Sequence, residues 1–115
     1  MAQYKEYRAK EKVLIEGEES NELYYIAKGT LRVLLTRGDD NKQLATLHPG
    51  EVVGEMSFLD KKSRSASVEA ISDSVLQVIE RQAYEDFLSS LPPWFISLQN
   101  TLIDRLRNAN SRVDV

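Results

Sequence analysis

Residues 50–67 read Gly50-Glu51-Val52-Val53-Gly54-Glu55-Met56-Ser57-Phe58-Leu59-Asp60-Lys61-Lys62-Ser63-Arg64-Ser65-Ala66-Ser67, and neither a plain strand nor a plain loop accounts for them. A short apolar strand runs into Gly54-Glu55. An apolar turn follows from Met56 to Leu59, and a polar loop, Asp60 to Ser63, leads to Arg64 and three small residues. Gly54 lets the backbone turn sharply or come close to a ligand. If Met56 to Leu59 form a helical turn, its first N–H groups lack intrahelical partners and can gather an anion. Arg64 brings a fixed charge and a planar fork of donors that fits phosphate oxygens. Ser65 and Ser67 can add hydroxyl donors, while Ala66 keeps the wall small. Glu55, when ionised, only accepts hydrogen bonds, so it repels phosphate but can accept from a sugar hydroxyl. An acceptor and an anion clamp in one short segment match a ribose-phosphate.

Upstream of this segment the chain reads as β. Val13-Leu14-Ile15 stops at Gly17, Leu23 to Ala27 ends at Lys28-Gly29, and Leu31 to Leu35 precedes the turn residues Arg37 to Asn41. Gln43 to Leu47 is the expected hairpin partner of that third run. Downstream, Ser65 to Ala70 alternates small and polar residues, and Val75 to Ile79 closes the series. Short strands at regular spacing with glycine punctuation predict a sandwich, roll or barrel. The strand pattern begins by about Tyr7, so no long helix is expected ahead of it.

The last third changes period. Tyr84, Phe87, Leu88 and Leu91 lie on one helical face between Arg81 and Leu91, and Pro92-Pro93 stops that helix and starts the next. In the second helix Phe95, Leu98, Leu102, Leu106, Ala109 and Val113 are spaced 3, 4, 4, 3 and 4, close to a heptad seam. Packing on the roll and a dimer interface both fit that seam. Trp94 and Phe95 read as core or hinge anchors. Strands and then helices, in separate blocks, predict one mainly β domain over residues 1–115: a roll over about 7–80 and helices over about 81–113.

Composition narrows the function classes. The chain has 115 residues, 42% hydrophobic and 29% charged, enough for one core. The formal net charge of −3 disfavours non-specific nucleic-acid binding, even with the basic run Lys61, Lys62 and Arg64. The absence of cysteine excludes disulfides and thiolate zinc sites and fits a cytoplasmic setting. The charged N-terminus is no signal peptide, and no apolar stretch approaches a membrane span. His48, the only histidine, sits beside Pro49 in a turn and reads as a surface residue. With no Ser-His-Asp set and no carboxylates at metal spacing, no catalytic or metal-ligating residue and no cofactor is expected.

The 50–67 segment resembles the phosphate-binding cassette of the cyclic-nucleotide-binding domain family. That cassette has a Gly-Glu pair, an apolar turn, and an arginine nine residues after the glutamate, followed by small residues. Here Glu55 and Arg64 are nine apart and Ser65-Ala66-Ser67 follows. Leu23 to Gly29 resembles the family's strand and glycine turn, and Arg105-Leu106-Arg107 its hinge helix, so the likeness runs from about Val13 to Val113. The resemblance implies a jelly-roll-like β-roll with a short cassette helix and two C-terminal helices. It implies a regulatory sensor rather than an enzyme, with cAMP before cGMP as ligand. Glu55 would then hold the ribose 2′-hydroxyl. Arg64 would pair with the cyclic phosphate, helped by Ser65, Ala66 and the backbone of Gly54, Met56 and Ser57. Val33, Leu44 and Ala45 would line the purine, and Arg105, Ala109 and Asn110 would cover it. Ser57 stands where the family often has alanine, and Ser65 leaves the choice of nucleotide open. A homodimer through the last helix and an effector domain outside the chain are compatible partners; nucleic acid and membrane are not expected. The rival readings are a roll that has lost its ligand and serves for dimerisation or docking, and the sensor half of a transcription factor.

Overall fold

The computed structural model describes residues 2–37 and 39–112, without the side chains of residues 37 and 110–112. The chain divides after Arg81 into two compact units. In the first, eight strands are described: β1 Gln3–Tyr7, β2 Lys12–Leu14, β3 Glu22–Lys28, β4 Leu31–Arg37, β5 Asp40–Leu47, β6 Val52–Val53, β7 Ser67–Ala70 and β8 Ser74–Glu80. The helix α1, Glu55–Asp60, lies between β6 and β7. Two antiparallel four-stranded sheets result, in the orders β1-β8-β3-β6 and β2-β7-β4-β5. This is the expected β-roll, and strand β1 begins before the expected start at Tyr7.

Period-two alternation builds the core. Across the first sheet Tyr24 pairs with both Val78 and Val53, and Ile26 pairs with Leu76. Across the second, Val68 pairs with Leu14 and Val33, and Ala70 with Leu31. These residues form one apolar cluster, with Ile26, Leu31, Ala70 and Leu76 fully buried. Burying an aliphatic side chain of this size stabilises by about 1.5–3 kcal/mol. On the opposite face of the second sheet, Glu69 accepts from Arg32 at 2.6 Å and pairs with Lys12 at 3.2 Å.

Two irregularities involve β4 and its neighbours. The β3–β4 turn passes through Gly29 at φ +98, where an added Cβ would meet the Ser74 backbone Cα at 2.6 Å. Only glycine fits there. In the β4–β5 hairpin, Val33 faces Ala45 but Leu34 faces Gln43. Leu44 is therefore the extra residue of a β-bulge, which bends β5 and re-aims its side chains.

The helix α2 covers Arg81–Ser89, its first residue closing the first unit, and α3 covers Pro93–Arg112 in the second. The amides of Ser90 and Leu91 close the last turn of α2 on Phe87 and Leu88. The carbonyl of Pro92 then accepts from Phe95 at 3.0 Å and starts α3. Gln99 Nε2 donates to the Tyr84 hydroxyl, joining the two helices. Trp94 and Phe95 make an edge-to-face pair 5.9 Å apart, but they are not core: Trp94 is 67% exposed. No helix among the described residues is long and apolar enough to cross a membrane.

Candidate functional site

Arg64 is 5% exposed, an unusual place for a guanidinium. Its main chain is clamped first. The Arg64 amide donates to the Glu18 carbonyl at 2.8 Å, and its carbonyl accepts from Gly17 at 2.9 Å. Its side chain then reaches the N-cap and first turn of α1 and the start of β3. Nη1 donates to the Gly54 carbonyl at 2.9 Å and to Ser57 Oγ at 3.1 Å, and Nη2 donates to the Glu22 carbonyl at 2.5 Å. Among the described residues no carboxylate lies within ion-pairing distance of it. Burial pulls its pKa below the usual value; Tyr24 and Glu22 oppose that, and Arg81 adds to it. The group stays cationic under all ordinary conditions. A buried charge held by dipoles and lacking a counter-ion is a site prepared for an anion.

Gly54 makes that placement possible. It sits at φ +77 as the N-cap of α1. An added Cβ would land on Nη1 of Arg64, 3.1 Å from its Cζ and 3.0 Å from Leu14 Cδ1. No side chain caps α1, and its first backbone bond runs from Phe58 N to the Gly54 carbonyl. The amides of Glu55, Met56 and Ser57 therefore precede the helical ladder, as the helical reading of the turn requires. Phe58 is fully buried and anchors the helix, and Arg81 stacks 4.2 Å from its ring centroid while donating to the Phe58 and Ser20 carbonyls at 2.8 Å each.

The other expected residues are spread over both units. Glu55 is exposed at the first position of α1, and Met56 and Ser57 are half-buried. Ser65 is exposed and Ala66 half-buried beside Arg64. Val33 packs against the core, whereas Leu44, 49% exposed, and Ala45 are open on β5. Arg105 and Ala109 are exposed on α3, and the side chain of Asn110 and residue Val113 lie outside the described residues. Gly54, Ser57 and Arg64 are brought into direct contact.

A layer behind Arg64 had no sequence signal. Tyr24 donates to Glu22 Oε1 at 3.2 Å, and half-buried Tyr7 packs against the same core. Burial, and then the Glu22 carboxylate, raise the pKa of both tyrosines above the usual value. Tyr24 reads in sequence as an ordinary inward strand residue. The acceptors on Arg64 are mostly backbone carbonyls, which no residue type reveals.

Comparison with known proteins agrees with this geometry. The family model described as "Cyclic nucleotide-binding domain" matches residues 4–90. The Cyclic AMP receptor protein of Thermus thermophilus is 36% identical over 104 residues, covering 90% of this chain and 48% of that protein. The chain thus spans about half the length of this relative. Among solved structures, the half-site-occupied form of the EAL enzyme Bd1971 superposes with a TM-score of 0.84 at 31% identity, covering 96% of this chain and 99% of that one. The cAMP-bound form of that enzyme superposes at 0.77 with 30% identity, over 94% of this chain and 29% of that one. Its cGMP-bound form gives 0.79 with 29% identity, over 96% and 30%. With a family model spanning most of the chain, a β-roll and an arginine-centred cassette, this chain belongs to the cyclic nucleotide-binding domain family.

Proposed function

We propose that the chain is a regulatory sensor that binds a cyclic purine monophosphate reversibly, cAMP before cGMP, and does no chemistry on it. The observation that carries this is the buried Arg64, fixed by the Gly54 and Glu22 carbonyls and Ser57 without a carboxylate partner among the described residues. In this reading Arg64 neutralises the cyclic phosphate, with the amides of the first turn of α1, Ser65 and Ala66 beside it. Glu55, the open carboxylate next to Gly54, accepts from the ribose 2′-hydroxyl. Val33, Leu44 and Ala45 serve the base, and Arg105, Ala109 and Asn110 are the residues of α3 assigned to it. A relative named for cyclic AMP, and a neighbour solved with either nucleotide, support the ligand class. The choice of cAMP is our own.

Binding is coupled to the C-terminal helices by population shift: the ligand favours one arrangement by its differential affinity and by no more than that. A regulated effector and a cytoplasmic setting are part of the same proposal. Self-association is a second element of the reading. Phe95, Leu98, Leu102 and Leu106 leave an open apolar seam along α3, beside a groove of about 440 Å³ that Tyr84 and Phe87 also line. A seam of this spacing suits a second copy of itself. Sedimentation velocity on the wild type and Leu102→Glu measures it.

Calorimetric titration with cAMP, cGMP and linear 5′-AMP tests the function. Saturable binding of a cyclic nucleotide, with weaker binding of the linear one, is expected. At a hundredfold excess over Kd the ligand should stabilise the fold by about 2.7 kcal/mol in a thermal-shift assay. Glu55→Ala should reduce the preference for cAMP over its 2′-deoxy analogue. Absence of binding by every cyclic nucleotide would leave the roll as a docking module.

A further inference from the structure

A cavity of about 240 Å³ lies outside the Arg64 cluster, lined by segment 19–21, the Lys61–Ser63 loop and Arg81. Lys61, Lys62 and Arg81 bring three cations to its wall against one carboxylate, Glu19, in a chain whose net charge is −3. Among the described residues none of these cations is ion-paired. Arg81 is held in place by two carbonyls and the Phe58 ring, so its remaining donors have a fixed direction. Ser20 supplies an independent sign of a ligand: it lines the same cavity, is 6% exposed, and its Oγ is buried without a partner among the described residues. Buried hydroxyls without partners are rare and call for an unplaced polar group.

We propose that this cavity is a second oxyanion site, which takes a phosphoryl group of a small soluble compound. Lys61 and Lys62 supply charge, Arg81 a fixed donor fork, and Ser20 a hydroxyl. The donor set favours a multiply charged tetrahedral group over a carboxylate, because cations from two separate segments, the Lys61–Lys62 loop and Arg81, can each meet a different oxygen. The recess and the acidic chain around it disfavour a nucleic-acid backbone, which needs a basic surface along its length. Arg64 does not line the cavity, so the site stands apart from the cyclic-nucleotide reading.

The test is an amide NMR titration of the full chain with inorganic pyrophosphate, repeated with excess cAMP present. We expect saturable shifts at residues 19–21 and 61–63 that survive the excess cAMP. The double variant Lys61→Gln/Lys62→Gln, both exposed positions, should melt like the wild type and weaken pyrophosphate by roughly tenfold, the sum of two solvent-exposed ion pairs. Ser20→Ala should weaken it further. Shifts that fail to saturate, a double variant that binds like the wild type, or competitive displacement by cAMP would each overturn the proposal. Should pyrophosphate bind here while no cyclic nucleotide binds the chain, the second site stands and the sensor reading falls.

Discussion

Replacing Gly54 by alanine probes the candidate site where its packing is tightest. The residue holds φ +77, and an L side chain in that region costs about 1–2 kcal/mol. The new methyl would also fall on the Arg64 guanidinium, which is 5% exposed and cannot swing out freely. Moving it breaks at least one of the Nη1 bonds to the Gly54 carbonyl and Ser57 Oγ. A hydrogen bond from a charged donor is worth about 1.5–3 kcal/mol net. Together these predict a loss of about 2.5–5 kcal/mol, a large share of the roughly 5–15 kcal/mol typical of a small domain. Urea denaturation should report it as a lower midpoint at unchanged slope. The same substitution in an Arg64→Met background should lose only the backbone part, about 1–2 kcal/mol, and the difference is the coupling between the two positions. Affinity for the cyclic nucleotide should fall by about a hundredfold in Gly54→Ala, since the anion clamp is displaced. A loss under about 1 kcal/mol, or equal losses in both backgrounds, would refute the contact and with it the role given to Gly54.

Arg64→Lys keeps the charge but not the fork that reaches Gly54, Ser57 and Glu22 together, so titration calorimetry should show about tenfold or more weaker binding. Tyr24 is held protonated above its unfolded value of 10.0, so stability present below pH 10 should fall as pH rises beyond it. Tyr24→Phe should flatten that alkaline loss in a urea series, only in part because Tyr7 is shifted the same way. Glu69 behaves oppositely. Hydrogen bonds from Arg32 and then Lys12 hold its carboxyl below 4.5, so its contribution is present above that pH and lost as acid protonates it. Glu69→Gln should reduce the acid sensitivity seen by circular dichroism.

Much of the fold was legible because local signals and burial agree. Ile26, Leu31 and Leu76 sit inward in runs whose alternation already specified strands, and Pro92-Pro93 marked the helix break. Strand β1 was not legible: Gln3–Tyr7 is polar and mostly exposed, and pairing with β8 rather than its own pattern makes it a strand. In the candidate site, Gly54 and Arg64 could be singled out from residue type and spacing, and the structure brings these two into contact. The Glu22 carbonyl was invisible, since main-chain acceptors carry no sequence mark. Trp94 was misleading in part: of the core and hinge readings of its large ring, the core one fails, since the ring is 67% exposed.

The backbone clamp on Arg64 has a consequence for how binding would be felt. Through its main chain it is tied to the segment leaving β2, through its guanidinium to the start of β3 and to α1, and it lies just ahead of β7. Those pieces come from both sheets. A tug on one side chain is thereby spread over four stretches of polypeptide far apart along the sequence. An arriving anion would then be felt at those four stretches together rather than at one side chain alone.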